Sequence, residues 1–87
     1  MAERIVGEKL AACVQILPEM TSVYSWKGTI QKEGEYLLLI KTLGGKFEAL
    51  QTFILSNHSY EVPEIVAIGA ERVSENYLAW MKEYLEA

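Results

Sequence analysis

Two short apolar runs constrain the fold of this chain more than any other feature. The runs are Tyr36-Leu37-Leu38-Leu39-Ile40 and Ile65-Val66-Ala67-Ile68, and neither alternates with polar residues. A strand without such alternation is typically buried on both faces of its sheet. In a chain of 87 residues, helices can cover one face of a small sheet and leave little chain to cover the other. We therefore expect the second face to pack against another subunit, most simply a copy of the same chain.

The rest of the sequence predicts elements in the order α-β-β-α-β-α. Apolar stripes at helical spacing predict helices over residues 2–12, 46–56 and 75–86, the last of them capped by Ser74. The first predicted strand covers residues 13–17, is interrupted at Pro18 and resumes over 21–31. The later predicted strands cover residues 35–42 and 64–70.

Residues 21–42 are predicted to form a hairpin. Lys32-Glu33-Gly34 carries the turn signal between its two arms. Because side chains alternate along a strand, the residues predicted to share one face are Tyr24, Trp26, Gly28 and Ile30.

This order of elements predicts an α+β fold. It matches a ferredoxin-like two-layer sandwich of split βαβ topology, with its first strand missing and an extra C-terminal helix. The first strand is central in that topology, so its absence would leave a gap between two interior strands. We expect one domain over residues 1–87, N-terminally shortened relative to the complete pattern.

Composition excludes several classes of function. The net charge is −4 and the basic residues are scattered, which disfavours nucleic-acid binding. No apolar run approaches the ~20 residues of a membrane span. The single cysteine, Cys13, excludes an internal disulfide, and the amino-terminal residues do not resemble a signal peptide. The sequence therefore predicts a cytoplasmic protein.

The stretch from His58 to Ile65 is the best candidate for a polar site. It holds the only histidine together with Glu61 and Glu64. An imidazole is a ligand for Cu or Zn, and the two carboxylates could add oxygen ligands. One histidine makes a tight site only with further ligands, so binding here would be weak or shared between subunits. The alternative is that His58 holds the loop backbone and packs on Tyr60.

Other side chains allow both a functional and a structural interpretation. Tyr24 and Trp26 could stack on a flat ligand, but an aromatic pair on one strand face favours a subunit interface. Lys41 ends an apolar strand and is either a partner for a carboxylate near His58 or an ordinary strand-end charge. Cys13 has apolar neighbours and is favoured as a small core residue, with a thiolate ligand for copper as the alternative.

The residue pattern gives no support to an enzyme. No nucleophile is accompanied by a partner base, and neither a phosphate loop nor a dinucleotide fingerprint is present in the sequence.

Five motifs in order resemble one family, the CutA divalent-cation-tolerance proteins. They are Leu10-Ala11-Ala12-Cys13-Val14, Thr21-Ser22-Val23-Tyr24-Ser25-Trp26-Lys27-Gly28, Lys41-Thr42, the stretch His58 to Ile65, and Tyr77-Leu78 with Trp80. The resemblance runs from about residue 2 to residue 84.

The resemblance implies a homotrimer of ferredoxin-like subunits with a role in tolerance of copper and other divalent metals. Family members carry a strand before the first helix, and this chain lacks it. The rival hypothesis is a regulatory trimer that binds a small-molecule effector, as nitrogen-regulatory signal proteins do, in a cleft lined by Trp26, Lys41 and His58. A purely structural assembly module is the third.

Overall fold

The structure, a computed structural model, describes residues 1–58 and 62–87 and has an α+β fold. The helices are α1 (Ala2–Gly7), α2 (Phe47–Asn57, preceded by a 3-10 turn at Gly44–Lys46) and α3 (Glu75–Leu85), and the strands are β1 (Cys13–Ile16), β2 (Met20–Trp26), β3 (Thr29–Glu35) and β4 (Leu38–Lys41). None of the helices in the described ranges has the length and apolar character needed to cross a membrane.

The strands form two antiparallel pairs that together make one bent hairpin. β1 pairs with β4 from Cys13–Lys41 to Ile16–Leu38, and β2 pairs with β3. Between the pairs, the N–H of Leu17 donates to the carbonyl oxygen of Leu37 at 2.9 Å. Pro18 follows directly, and it has no N–H to offer a ladder. The predicted interruption at Pro18 is therefore confirmed.

The hairpin turn lies at Lys27-Gly28, and the predicted turn at residues 32–34 is wrong. Lys27 has φ 50° and Gly28 has φ 80°. A two-residue loop with positive φ at both positions is the type I′ turn, whose twist suits antiparallel strands. Residues 32–34 instead lie inside β3, opposite residues 21–23 of β2.

The position of the turn also corrects the predicted faces. Trp26 pairs with Thr29, and Ser25 pairs with Ile30. Directly paired residues share a face, so Ile30 lies on the face opposite to Trp26. The prediction that these two residues share a face is wrong, because the two-residue turn shifts the alternation.

Two small clusters form the core. The first contains Ile5, Ala11, Leu50 and Ile54, and brings α1 and α2 onto one face of the β1–β4 pair. The second contains Ala12, Met81 and Leu85, and holds α3. The hydroxyl of Tyr84 donates to the carbonyl oxygen of Val6, which ties α3 to α1.

The β2–β3 pair, which we call the arm, contributes to neither cluster. Its apolar residues Val23 and Ile30 are 62% and 72% exposed. The described chain measures 45 × 26 × 20 Å, as expected when part of it extends away from the core.

The first helix ends earlier than predicted, at Gly7 rather than residue 12. Lys9 adopts a positive φ of 58°. The N–H of Lys9 donates to Val6 and the N–H of Leu10 donates to Ile5, each at 3.0 Å. These two bonds and the left-handed residue form a Schellman motif, which ends a helix. The other two helices lie within one residue of the predicted ranges, and Ser74 is the N-cap of α3 without a side-chain capping bond.

The predicted strand over residues 64–70 is wrong. Residues 62–73 lie in neither a helix nor a strand, and no backbone hydrogen bond joins them to another described residue. Ile65 packs against the first core cluster, but Val66 and Ile68 are 70% and 89% exposed. An apolar segment becomes a strand only where a neighbouring strand takes its hydrogen bonds. Among the described residues, no strand lies beside this segment.

Candidate functional site

A cavity of about 420 Å³ lies where the end of α2 meets the junction between β3 and β4. Its volume is in the range of ~300–1,000 Å³ that is usual for small-molecule sites. The cavity is lined by Met1, Gly34, Glu35, Tyr36, Leu38, Asn57 and His58. His58, the histidine singled out in the sequence, thus lies at a concave surface.

The end of α2 fixes the position of His58. This residue is the C-cap, with extended backbone angles of φ −89° and ψ 144°. Its N–H donates to the carbonyl oxygen of Ile54 at 2.8 Å. The backbone bond orders the residue, and the change from helical to extended angles turns the chain away from the helix axis. His58, which is half-buried, therefore lines the cavity.

Asn57 links the cavity to the first helix. Its amide Nδ2 donates to the carbonyl oxygen of Phe53 at 2.8 Å, and its Oδ1 accepts from Arg4 Nη1 at 3.2 Å. The Arg4 guanidinium also lies 4.8 Å from the centre of the Phe53 ring and 3.2 Å from a Glu8 carboxylate oxygen. The ion pair with Glu8 is exposed, and such pairs contribute at most ~1 kcal/mol to stability. The main role of Arg4 is therefore to hold α1 against the end of α2 through Asn57 and Phe53.

The cavity offers the right kinds of donor for a divalent cation but few of them. His58 supplies an imidazole, Glu35 a carboxylate and Asn57 an amide oxygen that already accepts from Arg4. Imidazole and carboxylate are ligands for copper and zinc. Within residues 1–58 and 62–87, however, no group of three or more His, Cys, Asp or Glu side chains could hold a metal ion. Since tight zinc sites take ~3–4 protein ligands, these residues fit weak binding.

Of the other two predicted metal ligands, Glu64 is not brought to this cavity. Glu64 is exposed, lies in the segment without secondary structure and is not part of the cavity lining. Glu61 lies outside the described residues. Among the described residues, the predicted metal ligands at this cavity are thus reduced to His58, and Glu35 is a carboxylate that the prediction did not include.

The predicted interface residues lie in separate places. Tyr24 and Trp26 are exposed on the arm, where the Lys27 ammonium lies 5.8 Å from the Trp26 ring centre. The Lys41 ammonium lies 5.7 Å from the ring centre of Tyr77 on α3. Tyr60 lies outside the described residues. A single chain does not bring Trp26 and Lys41 to the cavity beside His58, and their role in an assembly stays a prediction.

Sequence reasoning missed Glu35 and Tyr36. They lie where the hairpin changes partner from β2 to β1, and this junction approaches α2 only after the chain folds. The available signal was Pro18, which interrupts the opposite side of the hairpin between β1 and β2. A break on one side of a hairpin requires an irregularity on the other side.

A second cavity of about 420 Å³ is lined by Ala2, Glu3, Val6, Gly7 and Val14. Its lining is apolar apart from one carboxylate, so it suits a polar ligand or a cation less well than the cavity beside His58.

Comparison with known proteins identifies close relatives. Residues 1–84 match the family model described as CutA1 divalent ion tolerance protein. The chain is 46% identical over 82 residues to "Protein CutA, chloroplastic" of Arabidopsis thaliana, covering 94% of this chain and 45% of that protein. It is 40% identical over 87 residues to human "Protein CutA", covering all of this chain and 49% of that protein. The chain therefore spans about half the length of these curated relatives.

Solved structures agree with these sequence matches. The divalent cation tolerance protein Cut A1 of Thermus thermophilus superposes with a TM-score of 0.91 at 42% identity, over 95% of this chain and 81% of that one. A Nostoc protein, named "PII-like protein CutA" and solved in apo form, superposes with a TM-score of 0.89 at 32% identity, over 97% of this chain and 82% of that one.

Proposed function

This chain belongs to the CutA1 divalent ion tolerance protein family, and from that membership we propose that it acts in the tolerance of divalent cations. We propose that it binds them weakly at the cavity beside His58, without catalysing a reaction. The observation that supports this site is that His58 and Glu35, whose side chains end in an imidazole and a carboxylate, both line the same cavity.

Weak binding suits the donors that are present. Two protein ligands leave most of the coordination shell of a copper or zinc ion to water, so exchange with the solution is fast. Glu61 and Glu64 are proposed as further oxygen ligands, from the same chain or from a neighbouring copy. A protein that responds to changes in cation concentration needs a site that binds and releases the cation rapidly.

We propose that the functional unit is a homotrimer of ferredoxin-like subunits, with Tyr24, Trp26, Lys41 and Tyr60 at or near its interfaces. The exposed apolar residues of the arm and of residues 62–73 support an assembly, because a monomer rarely leaves so much apolar surface to water. A cytoplasmic location stays a prediction, and the Arabidopsis relative is named as chloroplastic.

Calorimetric titration with Zn²⁺ and Cu²⁺ tests the cation site. Replacing His58 with alanine removes the only imidazole and is expected to weaken binding roughly tenfold or more. Glu35→Gln is expected to weaken binding by a smaller factor. Glu33→Gln is the matched control, because it removes the same charge from the same strand but does not line the cavity. Equal affinities for wild type and His58→Ala would remove His58 as the site.

The second candidate function is binding of a small-molecule effector. The name of the Nostoc relative and the volume of the cavity beside His58 favour it. A ligand that binds only the folded chain raises the melting temperature, so a panel of nucleotides and carboxylate metabolites is added to protein treated with EDTA. A stabilising compound whose effect is lost in Tyr36→Ala would support this function. A panel that leaves the melting temperature unchanged would count against it.

A further inference from the structure

The methionines of the chain lie in two different environments. Met81 is 6% exposed and belongs to the second core cluster, as expected for a flexible apolar side chain that fills a core. Met1 and Met20 are instead 44% and 42% exposed. A thioether outside a core keeps its polarizable sulfur available to a ligand. Packing within the described residues therefore does not explain these two methionines.

The start of α1 fixes Met1 beside His58. Met1 is the N-cap of α1, and its carbonyl oxygen accepts from the N–H of Ile5 at 3.0 Å. Ile5 in turn is fully buried in the first core cluster. The bond from Arg4 Nη1 to Asn57 Oδ1 joins α1 to the residue that precedes His58. Met1 and His58 are thereby brought to the lining of the same cavity.

Met20 lies next to this cavity because of the register of the arm. It pairs directly with Glu35, which lines the cavity. Directly paired residues of antiparallel strands project from the same face, with Cβ atoms ~4.5–5.5 Å apart. The side chain of methionine is unbranched and flexible, so its sulfur can reach a cation held at the edge of the cavity.

Sulfur ligands change which cation the cavity prefers. Thioether sulfur is a soft ligand that suits monovalent copper, and imidazole also binds copper. Zn²⁺, in contrast, takes thiolate, imidazole and carboxylate ligands. Among the described residues, no group of three or more His, Cys, Asp or Glu side chains could hold a metal ion. Two thioethers and an imidazole, however, lie at or next to the cavity, and they are ligands that monovalent copper accepts.

We propose that the cavity beside His58 binds monovalent copper, Cu⁺, through the thioether sulfurs of Met1 and Met20 and the imidazole of His58. This inference rests on the proposed function, because it names the cation that the same cavity binds most tightly. Copper enters and leaves this site as Cu⁺, so binding requires neither an oxidant nor a reductant. The two thioethers distinguish Cu⁺ from the divalent cations, which are held by His58 and Glu35 alone.

NMR of the methionine methyl groups tests the proposal. The probe is Ag⁺, which matches Cu⁺ in charge and softness and is stable in air. The protein carries ¹³C-labelled methionine methyl groups and the substitution Cys13→Ala, because a thiolate would compete for a soft cation. Intact-mass measurement confirms that Met1 is retained. Ag⁺ is expected to shift the methyl signals of Met1 and Met20 and to leave that of Met81, the buried internal control, unchanged.

Calorimetry on variants in the same Cys13→Ala background separates the sulfur from the side-chain volume. Met1→Leu keeps an apolar side chain of similar size and removes the sulfur. It is expected to weaken Ag⁺ binding roughly tenfold or more, since even the loss of a group that supports a metal ligand costs ~10–100-fold in affinity. Zn²⁺ affinity is expected to stay unchanged. Met20→Leu should have the same selective effect, and Met81→Leu, a volume-conserving core substitution, is the matched control.

Two results would overturn the proposal. One is an unshifted Met1 methyl signal in excess Ag⁺. The other is equal Ag⁺ affinity with and without the combined substitutions Met1→Leu and Met20→Leu. Failure of the proposed function gives a different result, because Zn²⁺ and Cu²⁺ then do not bind the wild-type chain, whereas the Ag⁺ titration still reports on the thioethers.

Discussion

Lys9 holds a backbone conformation that an L-residue adopts only at a cost. Its φ of 58° closes the Schellman motif at the end of α1, a position where glycine is usual. The Lys9 ammonium lies 5.4 Å from the ring centre of Tyr84, and this cation–π contact offsets part of the conformational free energy that the backbone loses. Sequence reasoning extended the helix to residue 12, because a lysine inside an apolar stripe carries no signal for a left-handed turn.

Replacing Lys9 separates these two effects. Lys9→Gly relieves the backbone strain, and Lys9→Ala keeps the strain while removing the ammonium. We expect the glycine variant to be about 1 kcal/mol more stable than the alanine variant in urea denaturation. Equal free energies of unfolding would show that the left-handed turn is not strained.

Tyr84 provides a second test at this scale. Its hydroxyl donates to Val6, and Tyr84→Phe should lower the free energy of unfolding by about 1 kcal/mol. Tyr77→Phe is the matched control on the same helix, since the Tyr77 hydroxyl makes no hydrogen bond to another described residue. Thermal or urea unfolding of both variants measures the difference. An equal loss in both would contradict a specific role for the Tyr84 bond.

Local patterns predicted those elements whose partners are close in sequence. α2 and α3 agree with their apolar spacing, because each can be recognised from its own residues. The strand predicted over 64–70 fails because pairing depends on a neighbour that its own residues do not specify. The same limit applies to the site. His58 was predicted as the single histidine, whereas Glu35 reaches the cavity only through the fold of the hairpin.

The turn of the arm depends on Gly28 for its backbone conformation. Gly28 has a φ of 80°, so Gly28→Ala should destabilise the hairpin by about 1 kcal/mol. Gly45→Ala is the control, since Gly45 has no positive φ and no atom lies within 4 Å of an added Cβ. Circular dichroism with urea denaturation compares the two variants. A larger loss for Gly45→Ala would contradict the assignment of the turn.

The molecule as a whole carries more apolar surface than its two clusters can bury. Many of the exposed large apolar residues lie on the arm and on residues 62–73, neither of which contributes to the second cluster. The sequence predicted subunit contacts for Tyr24 and Trp26 of the arm and for the runs 36–40 and 65–68, of which the run 36–40 lies outside these two segments. The apolar content therefore predicts an assembly of several chains.

Light scattering tests the assembly directly. We expect a particle of three chains, each of 9.8 kDa, at micromolar concentration. Ile68→Asp places a charge on the most exposed large apolar side chain of residues 62–73 and should shift the distribution toward smaller species. Glu71→Gln, in the same segment, is the control. A monomer for the wild-type chain would contradict the interface argument.

The arm is also the segment that we expect to be most susceptible to proteolysis. An isolated two-stranded hairpin is marginally stable, so an arm without core contacts opens often enough to be cut. Lys27 at its tip and Lys32 within β3 are both sites for trypsin. Subunits that cover the arm would hide these bonds, whereas dissociated chains would present them. If the proposed trimer covers the arm, the rate of tryptic cleavage at Lys27 and Lys32 should therefore follow the rate at which subunits dissociate, and gel electrophoresis measures it without any label.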